Sequence, residues 1–133
     1  MFAQYTLHHI GVVFPSMEDA ERHMEVFGLV EAYRGYVEPW HSWCIFAQQA
    51  SGAALELVVA DGGPLLKFNK GIGGVHHYAY AINDFAEAEE WCAKNDLRLL
   101  EPAPIKGAGD FLCNFIHPVS TRGIQIELVQ ELN

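Results

Sequence analysis

Apolar and polar positions follow two periods along this chain, and the order of the periods repeats. Leu7-His8-His9-Ile10-Gly11-Val12-Val13-Phe14 reads as a strand, and so does Val75-His76-His77-Tyr78-Ala79-Tyr80-Ala81. A helical pattern follows each run: Ala20, Met24 and Phe27 after the first, Phe85, Ala88 and Cys92 after the second. Ser16 and Asp84 stand where each helix begins, with an acidic residue (Asp19, Glu87) three positions on, which is a helix-start signal. The pattern predicts strands over about 6–14, 29–37, 42–49 and 53–60 around a helix at 16–27. It then predicts strands over about 75–82, 97–101, 111–117 and 123–130 around a helix at 84–95. Asp61 to Gly74 joins the halves; Pro64-Leu65-Leu66-Lys67-Phe68 can form a short helix there, and Gly71, Gly73 and Gly74 loosen its end.

The halves are copies of one unit of about 65 residues. The offset of 68 that carries His9 onto His77 also carries Ala20 onto Ala88 and Leu29 onto Leu97, and Glu56 falls on Glu127 at an offset of 71. Strand, helix, three strands, repeated, predicts an α+β fold: one curved mixed or antiparallel sheet with helices outside. Module 1 spans about 5–60, the linker 61–73 and module 2 about 74–131, within a single domain of 133 residues. Strand parity puts His9, Gly11 and Val13 on one face and Ile10, Val12 and Phe14 on the other. His77, Ala79 and Ala81 likewise oppose Tyr78, Tyr80 and Ile82, so the bulky sets would pack on the helices and the His faces carry small neighbours. Glu56 and Glu127 point away from the Leu and Ile beside them, and a carboxylate in such a strand is costly to bury unless it is paired or binds a cation. His9, Glu56, His77 and Glu127 therefore form a candidate four-ligand metal site. Duplication of a unit with a purely structural His and Glu would give the same pattern.

Composition narrows the field. A net charge of −9 argues against nucleic acid and anionic membranes, which select basic surfaces. The apolar runs fall far short of the roughly 20 residues a membrane span needs. Met1 to Tyr5 shows no basic leader, and three cysteines (Cys44, Cys92, Cys113) at no metal or redox spacing fit reduced thiols in a cytoplasm.

Leu7-His8-His9-Ile10-Gly11-Val12, Pro64-Leu65-Leu66-Lys67-Phe68, Gly74-Val75-His76-His77-Tyr78-Ala79 and above all Phe115-Ile116-His117-Pro118-Val119-Ser120-Thr121-Arg122-Gly123-Ile124-Gln125-Ile126-Glu127-Leu128 resemble the vicinal-oxygen-chelate superfamily, which includes glyoxalase I, bleomycin-resistance proteins and extradiol dioxygenases. Within it the chain looks most like methylmalonyl-CoA epimerase. The resemblance covers nearly the whole chain and implies two tandem βαβββ modules curled around a metal cleft. It places the metal on the second His of each pair, His9 and His77, with Glu56 and Glu127; His8 and His76 would then face the other side as packing or hydrogen-bonding residues. It also implies one divalent ion (Co, Ni, Zn, Mn, Mg or Fe) and a homodimer.

The implied chemistry is removal and return of an α-proton through an enolate, with Glu127 as ligand and base. The family's second base falls near Pro39, where this chain departs from the pattern; Glu38, one residue before, and His41, two beyond, are the candidates, in a mouth made bulkier by Trp40 and Trp43. A coenzyme A thioester would need cationic contacts, for which Lys67, Lys70, Lys106 and Arg122 border the cleft in this reading. The alternatives are a glyoxalase I-like lactoylglutathione lyase, favoured by Glu56, a ring-cleaving dioxygenase, and a drug-binding resistance protein.

Overall fold

A computed structural model describes residues 6–133. Residues 1–5, on which the expected start of the first module and the expectation of no leader both fall, lie outside the described residues. The first module runs β1 (Thr6–Phe14), α1 (Met17–Phe27), β2 (Glu31–Val37), β3 (Ser42–Ala47) and β4 (Ala54–Ala60). The second runs β5 (Gly74–Ala81), α2 (Phe85–Lys94), β6 (Ile105–Lys106), β7 (Phe111–Ile116) and β8 (Ile126–Glu131). All eight strands form one mixed sheet in the order β2-β3-β4-β1-β5-β8-β7-β6. β1 and β5 meet antiparallel at the centre, and each pairs in parallel with the last strand of its own module. The sheet curls into a nearly closed barrel. Its two ends touch where Gly35 lies so tightly on the Ala108 backbone that no larger residue would fit.

Both helices begin as their sequences predict. The Ser16 hydroxyl accepts from the Asp19 backbone N–H at 3.1 Å, and the Asp84 carboxylate from that of Glu87 at 2.7 Å. α1 ends on Gly28 in the left-handed conformation (φ 65°). Ala20 and Met24 pack on Ile45, Leu57 and Val59; Phe85, Ala88 and Cys92 pack on Ile82, Ile116 and Leu128. The linker forms a 3-10 turn over Pro64–Gly71, kinked at Phe68, Asn69 and Lys70. Among the described residues no helix is long and apolar enough to cross a membrane.

Two expectations need correction. The strand predicted at 97–101 is absent: Leu99 makes one isolated bridge to Ile116, and the second module's edge strand is the two-residue β6. Pro102 and Pro104 cannot donate to a ladder. The Asn114 side chain takes the ladder's place, accepting from Glu101 N–H and donating to Glu101 C=O, both at 3.1 Å. Side-chain parity also breaks at both histidine pairs. Leu7 faces Tyr80 but His9 faces Ala79, and Gly11 faces His77 but Val12 faces Val75, so each central strand carries a bulge at its first histidine. His8 and His76 therefore turn inward beside His9 and His77 instead of facing the other side.

Candidate metal centre

The register builds the site in two rows across the sheet. One row is Glu56 on β4, Gly11 on β1 and His77 on β5; the next is Ala54, His9, Ala79 and Glu127 on β4, β1, β5 and β8. Each central imidazole lies beside a small residue of the opposite module, and Gly11 is required: any β-carbon there would collide with the His77 ring.

His9, Glu56, His77 and Glu127 are all buried. His9 Nε2 lies 2.8 Å from Glu127 Oε1 and 3.4 Å from Glu56 Oε1, and His77 Nε2 lies 3.3 and 3.2 Å from the same two oxygens. The two Nε2 atoms are 3.1 Å apart. Glu127 Oε1 is fully buried and accepts no well-aligned hydrogen bond, although imidazole nitrogens surround it. Two imidazoles and the Glu127 carboxylate with its orphaned oxygen fit a divalent cation, since ligands bound at about 2.0–2.2 Å leave neighbouring donor atoms about 3 Å apart; Glu56 lies beside both imidazoles but outside this mutually close group. The ligand atoms of His9, His77 and Glu127 all lie within 4.8 Å of one another.

Without an ion, protons take up the charge. Burial alone would lower both imidazoles, but the two carboxylates raise His9 to about 10 and His77 to about 9. Burial opposes ionisation of Glu56 and Glu127 too, yet the imidazoles beside them hold both below the usual carboxylate range.

A second set of groups, also duplicated, surrounds the four. His8 Nδ1 is 2.8 Å from His9 Nδ1, and His76 Nδ1 is 2.8 Å from His77 Nδ1. Burial and then the His77 charge push His76 down to about 4, so it remains neutral. Cys44 and Cys113 lie within electrostatic reach of Glu56 and Glu127; burial and then those carboxylate charges push both thiols well up, so they stay protonated. Reading the cysteines for metal spacing missed this pairing. The signal was present, because Cys44 and Cys113 stand 69 residues apart, close to the repeat offset.

A cavity of about 190 Å³ opens from this centre, walled by Glu56, His76, His77, Trp40, Leu65 and Phe115, with Cys44 and Gln125 also at its surface. Pro39 and Trp40 occupy the wall where a second base was sought. Glu38 and His41 are exposed and do not line the cavity, and the His41 ring lies instead against Gly62 and Gly63. Trp43 projects outside, where it packs on Tyr36, so only Trp40 narrows the mouth. The four cations expected at the rim are all exposed. Lys67 and Lys70 sit on the linker turn that contributes Pro64 and Leu65 to the cavity. Lys106 is engaged with Gly109 C=O and lies 4.0 Å from Asp110, and Arg122 holds a left-handed turn (φ 60°) before β8.

The chain belongs to the glyoxalase/bleomycin resistance protein/dioxygenase superfamily, whose family model matches residues 8–115. An uncharacterised Bacillus subtilis protein, YqjC, is 31% identical over 128 residues, covering 93% of this chain and 91% of its own. The mitochondrial methylmalonyl-CoA epimerase of Dictyostelium discoideum is 25% identical over 129 residues, covering 94% and 78%. The crystal structure of methylmalonyl-CoA epimerase from Mycobacterium tuberculosis superposes with a TM-score of 0.88 at 21% identity, covering 96% of this chain and 89% of that one, and supports the fold.

Proposed function

We propose that this protein is a divalent-metal-dependent isomerase that moves an α-proton of a small acyl thioester, in the manner of a methylmalonyl-CoA epimerase. The observation that carries this reading is the convergence of His9, Glu56, His77 and Glu127, with the orphaned Glu127 oxygen, at the end of an apolar cavity. An ion held there would polarise a carbonyl oxygen and stabilise the charge left when the adjacent proton departs, an effect worth several kcal/mol. Glu127 is the base in this scheme. Trp40, Leu65 and Phe115 exclude water from the acyl group. The cavity is smaller than the roughly 300–1,000 Å³ of pockets that enclose drug-sized ligands, which suits a short acyl chain with its carrier outside, beside Lys67 and Lys70. Lys106 and Arg122 are farther candidates for the carrier's phosphates, and the working form is a homodimer.

One observation favours a second reading, a glyoxalase I-like lyase. With Glu38 and His41 outside the cavity, Glu56 is the carboxylate that lines it, and transfer between adjacent carbons on one face needs a single base. Proton NMR of methylmalonyl-CoA in D2O, with Co²⁺ or Mn²⁺ and with or without chelator, separates the two. Metal-dependent loss of the α-proton signal with stereochemical inversion supports the epimerase. No exchange in ion-loaded protein rejects that substrate and directs the assay to glutathione hemithioacetals.

A further inference from the structure

The two bulges place a histidine behind each candidate ligand, but the chains of contact behind them end differently. His8 Nε2 lies 2.5 Å from Glu131 Oε1, whereas His76 Nε2 lies 3.4 Å from the Gln125 side-chain nitrogen. An imidazole that binds an ion through Nε2 must carry its proton on Nδ1 and donate it to an acceptor. The Nδ1 atoms of His8 and His76, each 2.8 Å away, are those acceptors, provided their own protons sit on Nε2. A carboxylate at Nε2 enforces that arrangement for His8. An amide enforces it for His76 only with its carbonyl turned inward.

We propose, resting on the metal-site reading above, that His8, set by Glu131, is a positioning residue that fixes His9 as an Nε2 ligand, and that His76, set by the neutral Gln125, does the same more weakly for His77. His9 is then the anchored ligand of the site and His77 the adjustable one. The pairing also accounts for why the strand is bulged at both places: without the extra residue His8 and His76 would face away, and neither ligand imidazole would have a buried acceptor behind it.

The test is chelator competition for Zn²⁺ and Co²⁺ on the full chain, with His8→Phe, His8→Asn, His76→Phe and Glu131→Gln. Phenylalanine keeps a ring against Phe46 and Phe111, which His8 touches with centroids 6.2 and 5.5 Å apart, but removes the acceptor. Asparagine loses the ring and keeps an acceptor near the Nδ1 position. The expected order is a loss of about tenfold or more in ion affinity for His8→Phe, the scale typical of lost outer-shell partners. His8→Asn should stay nearest wild type, and His76→Phe should lose less than His8→Phe. Glu131→Gln, at a half-exposed position where folding is not at stake, should weaken binding several-fold. The ion-free protein gives a second readout: a slowly exchanging His9 Nδ1–H signal in proton–nitrogen NMR, absent in His8→Phe. Affinity that survives His8→Phe, or falls more for asparagine than for phenylalanine, means His8 only packs and overturns the proposal while leaving the metal site standing. Wild-type protein that binds neither ion overturns the metal reading and this inference with it.

Discussion

Single residues decide the shape of the centre, and Gly11 shows how. The His77 ring lies across it, so Gly11→Ala forces the ring to move or the central strands to part. We expect overpacking to cost about 1–3 kcal/mol and ion affinity to fall, measured by thermal melting and by metal analysis after dialysis. His77→Ala and Glu127→Ala should instead remove most bound ion with the fold retained by circular dichroism; metal content unchanged in both would sink the site assignment. At this scale the sequence was legible for the four central residues, because duplication marks them twice. It was not legible for His8 and His76. Alternation assigns adjacent residues to opposite faces, and nothing local in Leu7-His8-His9 announces the bulge that breaks the rule. The exclusion of Glu38 and His41 from the cavity was hidden for a similar reason. Glu38–Trp40 forms a 3-10 turn, with Pro39 at its middle, that presents Trp40 inward and leaves His41 with a left-handed backbone (φ 49°).

At the scale of elements, helices were legible to within about a residue, since caps and apolar period agree. Removing the Ser16 or Asp84 cap with alanine should lower stability by about 1 kcal/mol, read as a fall of a few degrees in melting temperature. The strand expected at 97–101 shrinks to one bridge, held by Leu100 N–H to Phe115 C=O and His117 N–H to Arg98 C=O, because the next residue, Glu101, is partnered by a side chain. Leu97, Leu99 and Leu100 supply a strand-like apolar run, but the Asn114 amide at the adjoining strand position satisfies the Glu101 backbone in both directions. Asn114 is fully buried, so Asn114→Leu strands both backbone groups of Glu101. The expected loss is about 1–3 kcal/mol, with faster amide exchange confined to residues near 98–101. The linker turn makes a different prediction. If Lys67 and Lys70 hold the carrier's phosphates, the Lys67→Ala, Lys70→Ala double variant raises KM for a coenzyme A thioester several-fold with little change in kcat. An unchanged KM returns both lysines to ordinary surface charge.

The whole molecule couples its halves through the four buried ionisable groups where the modules meet, and this gives its stability a definite pH dependence. Unfolded histidine titrates near 6.5, while His9 and His77 in the ion-free fold titrate near 10 and 9. A group raised on folding stabilises fully below its unfolded pKa, and that contribution is lost as pH rises through the folded value. The ion-free protein should therefore lose melting temperature steadily from about pH 7 to pH 10. Its carboxylates act at the other end: Glu56 and Glu127, held below the usual range, give stability that disappears as pH falls well under 4. A divalent ion reverses the alkaline trend. It must displace the imidazole protons to bind, so its affinity and the stabilisation it confers grow over the same window in which the ion-free protein weakens. Melting curves from pH 6 to 10, with chelator and with Zn²⁺, should diverge as pH rises. Parallel curves would mean that the imidazoles neither carry those protons nor hand the position to a metal, and the centre would then be a buried ion-pair cluster that fastens the two modules together.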